Sequence, residues 1–184
     1  MHIPQGDTRQ LKQVWFLGTH GDLGWDDSSG GLVDAPLAWM LQQLKTAVRL
    51  ECKANDLEER FPRSSPAYIP AKTGSSHEWV FDPVRKTYAG IITLMGRKTR
   101  TPGRYHREGM MTSEEIHISV RLRDYGPSQQ DPPIPGYSLD EVDGKYVWVE
   151  SAPSGKDGNI ANTLCIPEAT IGEHEAELLG LPLP

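Results

Sequence analysis

A short apolar run followed by a glycine-punctuated loop is the feature that most constrains how this chain folds. Residues 12–18 read Lys-Gln-Val-Trp-Phe-Leu-Gly, a nearly continuous run of residues that favour β-structure. Such a run is typical of a strand covered on both faces, as the strands of parallel sheets are. A polar loop with three glycines follows over residues 18–24. Together they predict a sheet strand that ends at an irregular, polar loop.

An amphipathic helix is predicted after this loop. Asp34 suits the N-cap position, and Pro36 is tolerated in the first helical turn. Apolar residues then recur at spacings of three and four through about Leu50, which predicts one apolar stripe: Leu37, Leu41, Leu44 and Val48. A strand, a loop and a helix in this order predict an α/β fold, with flanking helices and long Pro/Gly-rich loops.

The following segments carry weaker patterns. Residues 51–76 are polar and rich in proline, and we predict a loop or lid-like insertion there. Residues 115–124 alternate between apolar and polar side chains, which predicts a strand. Residues 146–149 predict a strand that forms one arm of a hairpin, opened by Asp143 and Gly144.

The predicted organisation is one portion of a single domain over residues 1–184. Residues 12–51 form the strand, loop and helix, and residues 52–136 form a loop-rich insertion. Residues 137–184 hold the C-terminal hairpin and a short helix, which we place at about 168–179.

Composition and charge exclude several classes of function. Apolar residues make up 37% of the 184 residues, with 18 Gly and 15 Pro, which indicates a modest core or half of a larger one. The net charge is −6, so we expect no nucleic-acid partner. No apolar run approaches the roughly 20 residues that span a bilayer, and the N-terminus does not resemble a signal peptide. We therefore expect a cytoplasmic protein, in which Cys52 and Cys165 are buried or half-buried thiols rather than a disulfide framework.

His20 is the strongest candidate for a catalytic group. It stands just past the end of the predicted strand, and catalytic groups of doubly wound sheets gather beyond the carboxyl ends of strands. An imidazole there titrates near neutral pH and suits a general base. Asp22 lies two residues further on and would orient the ring or the loop. The alternative is that His20 is an ordinary loop residue that hydrogen-bonds a carbonyl.

Three segments carry a resemblance to a known family. Residues 14–24 (Val-Trp-Phe-Leu-Gly-Thr-His-Gly-Asp-Leu-Gly) and 31–41 (Gly-Leu-Val-Asp-Ala-Pro-Leu-Ala-Trp-Met-Leu) are the stronger match, and residues 116–121 (Ile-His-Ile-Ser-Val-Arg) are the weaker one. They resemble the uncharacterised α/β-hydrolase domain family of fungi and bacteria, which includes the catalytic domains of type VI secretion phospholipase effectors. The chain departs from the family wording at five positions: Leu17, Trp25, Asp26, Val33 and Ile118.

The resemblance implies a partial α/β-hydrolase-like sheet and a Ser-Asp-His triad in that chain order. His20 would take the last role, as the general base, with Asp22 as support for the loop. A Gly-x-Ser-x-Gly nucleophile motif is absent from the chain, and no serine precedes residue 20. We therefore expect the C-terminal part of a phospholipase- or esterase-type domain, inactive alone, as a truncated hydrolase or a pseudoenzyme. The alternative is a non-catalytic module that binds a ligand or a partner.

The other candidate residues are expected to play smaller parts. His117 and Arg121 line the substrate site if the resemblance holds, and otherwise form a structural pair. The basic stretch at 97–107 faces an anionic group or is a solvated loop. No metal and no cofactor are expected, because the acidic residues of the first loop match no calcium-binding spacing: Asp22, Asp26, Asp27 and Asp34.

Overall fold

The computed structural model describes residues 12–18, 31–61, 101–103, 112–124, 134–151 and 163–181. His20 and Asp22 lie outside these residues. The chain divides into two compact units, and each unit is formed by two separate segments. The first unit holds Met1–Trp15 and Thr93–Ala169, and the second holds Phe16–Ile92 and Thr170–Pro184.

Helices and small sheets are mixed along the described residues, which is an α/β arrangement in the broad sense. The strands are β1 (Gln13–Trp15), β2 (Glu114–Ile116), β3 (Tyr137–Val142), β4 (Lys145–Glu150) and β5 (Cys165–Pro167). The helices are α1 (Asp34–Val48), α2 (Ala54–Arg60), α3 (Ile118–Asp124) and α4 (Glu173–Leu179).

A parallel strand pair, β1 with β2, lies in the first unit. Gln13 lies opposite Glu114, and Trp15 lies opposite Ile116. The pairing continues one residue beyond β2, where the backbone N–H of His117 donates to the Trp15 carbonyl at 2.9 Å. The strand predicted over residues 12–18 is confirmed by β1, although β1 is shorter.

A three-stranded antiparallel sheet, in the order β3-β4-β5, belongs to the same unit. Asp143 and Gly144 both have positive φ (52° and 73°), as a type I′ hairpin turn requires, so the predicted hairpin is confirmed. One face of the sheet is buried and includes Trp148, which is 1% exposed. An isolated parallel bridge between Ile116 and Glu168 joins β2 to the residue that follows β5.

The prediction of a strand over residues 115–124 is wrong after Ile116. The chain turns at His117 and continues as α3. Alternating residues predicted a strand, but the backbone N–H of Ser119 donates to the His117 side chain, which starts a helix instead. Ile116 and Val120 are buried at 0% and 2% exposure, so two apolar residues of the pattern reach the core.

The second unit contains α1, which confirms that a helix follows the loop. The N-cap residue and the buried face of this helix differ from the prediction. A 3₁₀ turn over Gly31–Val33 leads directly into it, so Val33 is the N-cap and Asp34 is already helical. Asp34 instead forms an ion pair with Arg60 at the end of α2. The prediction of Asp34 as the N-cap is therefore wrong, because its carboxylate is turned toward a cation.

The apolar stripe predicted for α1 is not its most buried face. Leu37, Leu41 and Leu44 are only half-buried and Val48 is 64% exposed, whereas Ala35 and Ala38 are buried. The helix packs against α4, and Gln42 of α1 accepts hydrogen bonds from the start of that helix. The α4 residues that are buried in this unit include Ala176, Leu178 and Leu179. The short final helix predicted over 168–179 is thus confirmed as Glu173–Leu179.

Two further predictions need correction. The loop predicted over residues 51–76 contains α2, which ends at the buried Phe61. Helix-favouring Glu, Leu and Arg residues outweigh the polar character of that stretch. Cys52 and Cys165 are both exposed and free, not buried, because one precedes α2 and the other lies on the open face of the antiparallel sheet. Among the described helices, none has the length and apolar character to cross a membrane.

Candidate functional site

The loop that carries His20 and Asp22 lies outside the described residues, but both of its flanks are described. Gly18 has a φ of 126°, a conformation that favours glycine, in the bend that follows β1. The Phe16 ring meets the edge of the Trp39 ring of α1, with centroids 5.9 Å apart and planes at 67°. A strand therefore precedes this loop and a helix follows it, as the sequence predicts.

His117 lies at the junction between β2 and α3 and is 1% exposed. Its Nδ1 atom accepts the backbone N–H of Ser119 at 3.1 Å and lies 2.8 Å from the Ser119 hydroxyl oxygen. Its carbonyl accepts the N–H of Val120 at 3.0 Å, which is the first hydrogen bond of the helical turn. His117 is therefore the N-cap of α3, in the interior of the unit.

Arg121 lies one turn further along α3, in an ion pair with two hydrogen bonds. Its Nε donates to Glu168 Oε2 at 2.7 Å, and its Nη2 donates to Glu168 Oε1 at 3.0 Å. The guanidinium also lies over the Tyr146 ring, 3.9 Å from the ring centroid. The Arg121 side chain is 16% exposed and that of Glu168 is 12% exposed. Arg121 thereby connects α3 to Tyr146 of β4 and to Glu168, the residue that follows β5.

His117 and Arg121 are thus brought together on one short helix, where each makes contacts inside the protein. A two-bond Arg–carboxylate pair is among the strongest polar contacts available to a side chain. An anionic substrate would have to displace Glu168 to form the same two-bond contact with Nε and Nη2. This arrangement favours the structural alternative for Arg121, and the substrate-binding role of both residues stays a prediction.

A buried polar cluster was not predicted from the sequence. Glu114 is 7% exposed, and its Oε2 accepts the backbone N–H of Gly103 at 2.8 Å and the Thr112 hydroxyl at 3.1 Å. Tyr137 donates its hydroxyl to the Pro102 carbonyl at 2.9 Å. Burial raises the pKa of Tyr137 to about 12, and the negative charges of Glu150 and Glu114 add to the effect. The sequence feature that points to this region is the Pro102–Gly103 pair, which is typical of a turn. A turn pattern does not reveal which distant residues contact the turn.

In the part of the chain that the structure describes, no group of three or more His, Cys, Asp or Glu residues is arranged to hold a metal ion. Asp34, the described member of the acidic group, is paired with Arg60.

Comparisons of the chain with protein-family models, with curated proteins and with solved structures found no match. The resemblance to the α/β-hydrolase family therefore rests on residues 14–24, 31–41 and 116–121 alone.

Proposed function

We propose that this chain is the C-terminal part of a serine-hydrolase-like catalytic domain, of the phospholipase or esterase type. The observation that carries the proposal is the order of β1, the loop with His20, and α1, together with the family-like residues along that segment. The parallel pairing of β1 with β2 supports it further, because hydrolases of this class are built on parallel strands.

His20 would act as the general base in such a domain. It would accept the proton of a nucleophilic serine and later return it to the leaving group, with Asp22 supporting the loop. The chain has no Gly-x-Ser-x-Gly motif, so covalent catalysis has no nucleophile within it. We infer that the chain alone is inactive, that the substrate is a lipid or another ester, and that the protein acts in the cytoplasm.

Ester hydrolysis tests this proposal. The chain as it stands is expected to give no turnover of nitrophenyl esters and no labelling by a serine-reactive fluorophosphonate. A longer protein, translated from the same reading frame and carrying a Gly-x-Ser-x-Gly motif, is expected to hydrolyse the ester. His20→Ala in that product should lower kcat by about 10⁴-fold or more, while the control His77→Ala should not. Full activity of the His20→Ala product would contradict the role assigned to His20. His20-dependent turnover by the chain alone would contradict the inference that the chain alone is inactive.

A non-catalytic binding module is the alternative proposal, and exposed apolar residues on the second unit favour it. Met40 is 47% exposed and Val48 is 64% exposed on α1, and Leu50 is 42% exposed just after it. Exposed apolar side chains that cluster on a protein surface often mark an interaction site, which is the arrangement that this alternative requires. Strong binding of a hydrophobic dye that falls in Met40→Gln and Val48→Gln variants would favour this alternative.

A further inference from the structure

The strand β3 lies at one end of the antiparallel sheet that the described residues form, with β4 on its inner side. The carbonyl of Tyr146 on β4 accepts the N–H of Glu168, so the backbone of Tyr146 bonds toward β5 and away from β3. Tyr146 lies opposite Glu141 of β3. Because backbone groups alternate in direction along an antiparallel ladder, those of Tyr137, Leu139 and Glu141 point away from β4. We call this side of β3 the outer edge.

Two of the three N–H groups on the outer edge are bonded within the chain. The N–H of Tyr137 donates to the Ile134 carbonyl at 3.2 Å. The N–H of Glu141 donates to Oδ1 of the neighbouring Asp140 side chain at 2.8 Å. An end strand with free backbone groups is a template for pairing with another chain, and proteins commonly block such edges. The Asp140 carboxylate thus occupies a donor that a pairing strand would need.

We propose that Asp140 keeps the outer edge of β3 closed to pairing with a second copy of the chain. Two copies of a protein associate most often with two-fold symmetry, and an antiparallel strand pair centred on Leu139 has that symmetry. In this register, Glu141 of one copy lies opposite Tyr137 of the other, and each Asp140 lies opposite a Ser138. Acidic side chains, which repel when they are directly opposite, are therefore not opposed in this pair.

The bond between Asp140 and Glu141 removes a donor from this symmetric pair. While the carboxylate holds the Glu141 N–H, the two Leu139 residues exchange hydrogen bonds but Glu141 does not contribute. Without an acceptor at position 140, the Glu141 N–H of each copy is free to donate to the Tyr137 carbonyl of the other. Asp140 and Glu141 are both exposed, so a substitution at Asp140 changes the edge and leaves the core as it is.

The association state of three proteins tests the proposal: the wild-type chain, Asp140→Ala and Asp140→Asn. Asn keeps an Oδ1 acceptor for the Glu141 N–H and removes the charge, whereas Ala removes both. In sedimentation equilibrium we expect Asp140→Ala to dimerise at a concentration lower than the wild type by about tenfold or more, because each copy gains a hydrogen bond. Asp140→Asn should match the wild type.

Two results of sedimentation would overturn the proposal. Equal association of the Ala and Asn variants, above that of the wild type, would show that charge rather than the hydrogen bond keeps the copies apart. An Asp140→Ala protein that associates no more than the wild type would show that the edge stays closed without this bond.

Hydrogen exchange of the Glu141 amide is a second measurement, made in solutions too dilute for association. After correction for intrinsic exchange rates, the amide should exchange faster in Asp140→Ala than in the wild type and Asp140→Asn, because only the Ala variant lacks the acceptor. As the concentration of Asp140→Ala is raised, exchange of the Leu139 and Glu141 amides should slow together. Equal exchange of the Glu141 amide in all three dilute proteins would overturn the proposal, since Asp140 would then not hold this N–H.

Discussion

Gly103 occupies a turn in which only a residue without a side chain fits. Its φ is +73°, and an added Cβ would overlap the Leu164 side chain and lie 2.9 Å from the Tyr137 hydroxyl oxygen. Gly144 has the same φ, but no atom of the described residues lies within 4 Å of the position of its Cβ. A side chain at either glycine would strain the backbone, but only at Gly103 would it also overlap neighbouring atoms. Comparing the two positions therefore separates the energetic cost of strain from that of steric overlap.

Alanine at these two glycines is predicted to have unequal effects. Gly103→Ala should lower the free energy of unfolding by about 2–4 kcal/mol, because strain and overpacking add. Gly144→Ala should lower it by only about 1–2 kcal/mol, from strain alone. Urea denaturation of both variants measures the difference. Equal losses would show that Leu164 moves aside without penalty.

Tyr137 is predicted to resist ionisation. Its ordinary pKa is about 10, and its folded pKa is raised to about 12 by burial and then by Glu150 and Glu114. The unfolded chain loses this proton first, so the stability that Tyr137 contributes falls as the pH rises from about 10 through about 12.

Tyrosinate absorbance in an alkaline titration checks this prediction. Of the six tyrosines, one should titrate last, and it should be missing in Tyr137→Phe. The same variant leaves the Pro102 carbonyl without its donor and should unfold about 1–2 kcal/mol more easily at neutral pH. A titration curve that Tyr137→Phe leaves unchanged at its alkaline end would contradict the assignment.

At the scale of elements, α4 is capped by a side chain from another helix. Gln42 of α1 accepts the N–H groups of His174 at 3.0 Å and Glu175 at 3.3 Å through its Oε1. The residue before α4 is Gly172, where an added Cβ would lie 2.7 Å from the Gln42 amide nitrogen. One glutamine therefore fixes both the start of α4 and its distance from α1.

Gln42→Ala is predicted to remove this cap. Two backbone donors at the start of α4 lose their acceptor, so we expect a loss of about 1–2 kcal/mol in unfolding free energy and faster exchange of the α4 amides. Gln43→Ala, one residue further along the same helix, serves as the matched control and should change stability by less than about 0.5 kcal/mol. The capping role would be refuted if both variants lost the same stability.

The elements that could be predicted are those whose conformation is determined by residues close together in the sequence. The apolar run of β1, the repeat of α1 and the Asp143–Gly144 turn each act over a few contiguous positions. The helix α3 was missed because Ile118 and Val120 fit a strand pattern equally well, and only the cap by His117 decides between the two. The cluster of Glu114, Gly103 and Tyr137 joins residues far apart along the chain, which no local pattern reveals.

At the scale of the whole molecule, neither unit is continuous along the chain. The second unit joins Phe16–Ile92 to Thr170–Pro184, and α1 packs against α4 across that gap in sequence. A chain that ends after Ala169 is therefore predicted to lose the helicity of α1, because α1 loses the helix that it packs against. Hydrogen exchange of the α1 amides measures the effect. A chain that ends after Leu181 is the control, and protected α1 amides in the shorter chain would contradict the prediction.

The parallel pairing of Gln13 with Glu114 has a consequence for how the chain is made. During synthesis at about 5–20 residues per second, β1 leaves the ribosome roughly one hundred residues before β2 does. For that interval of about 5–20 seconds the nascent Val14–Trp15 segment lacks β2, the strand with which it pairs in the folded protein. The order of translation thus makes β1 a natural target for chaperones that hold apolar segments until the partner strand emerges.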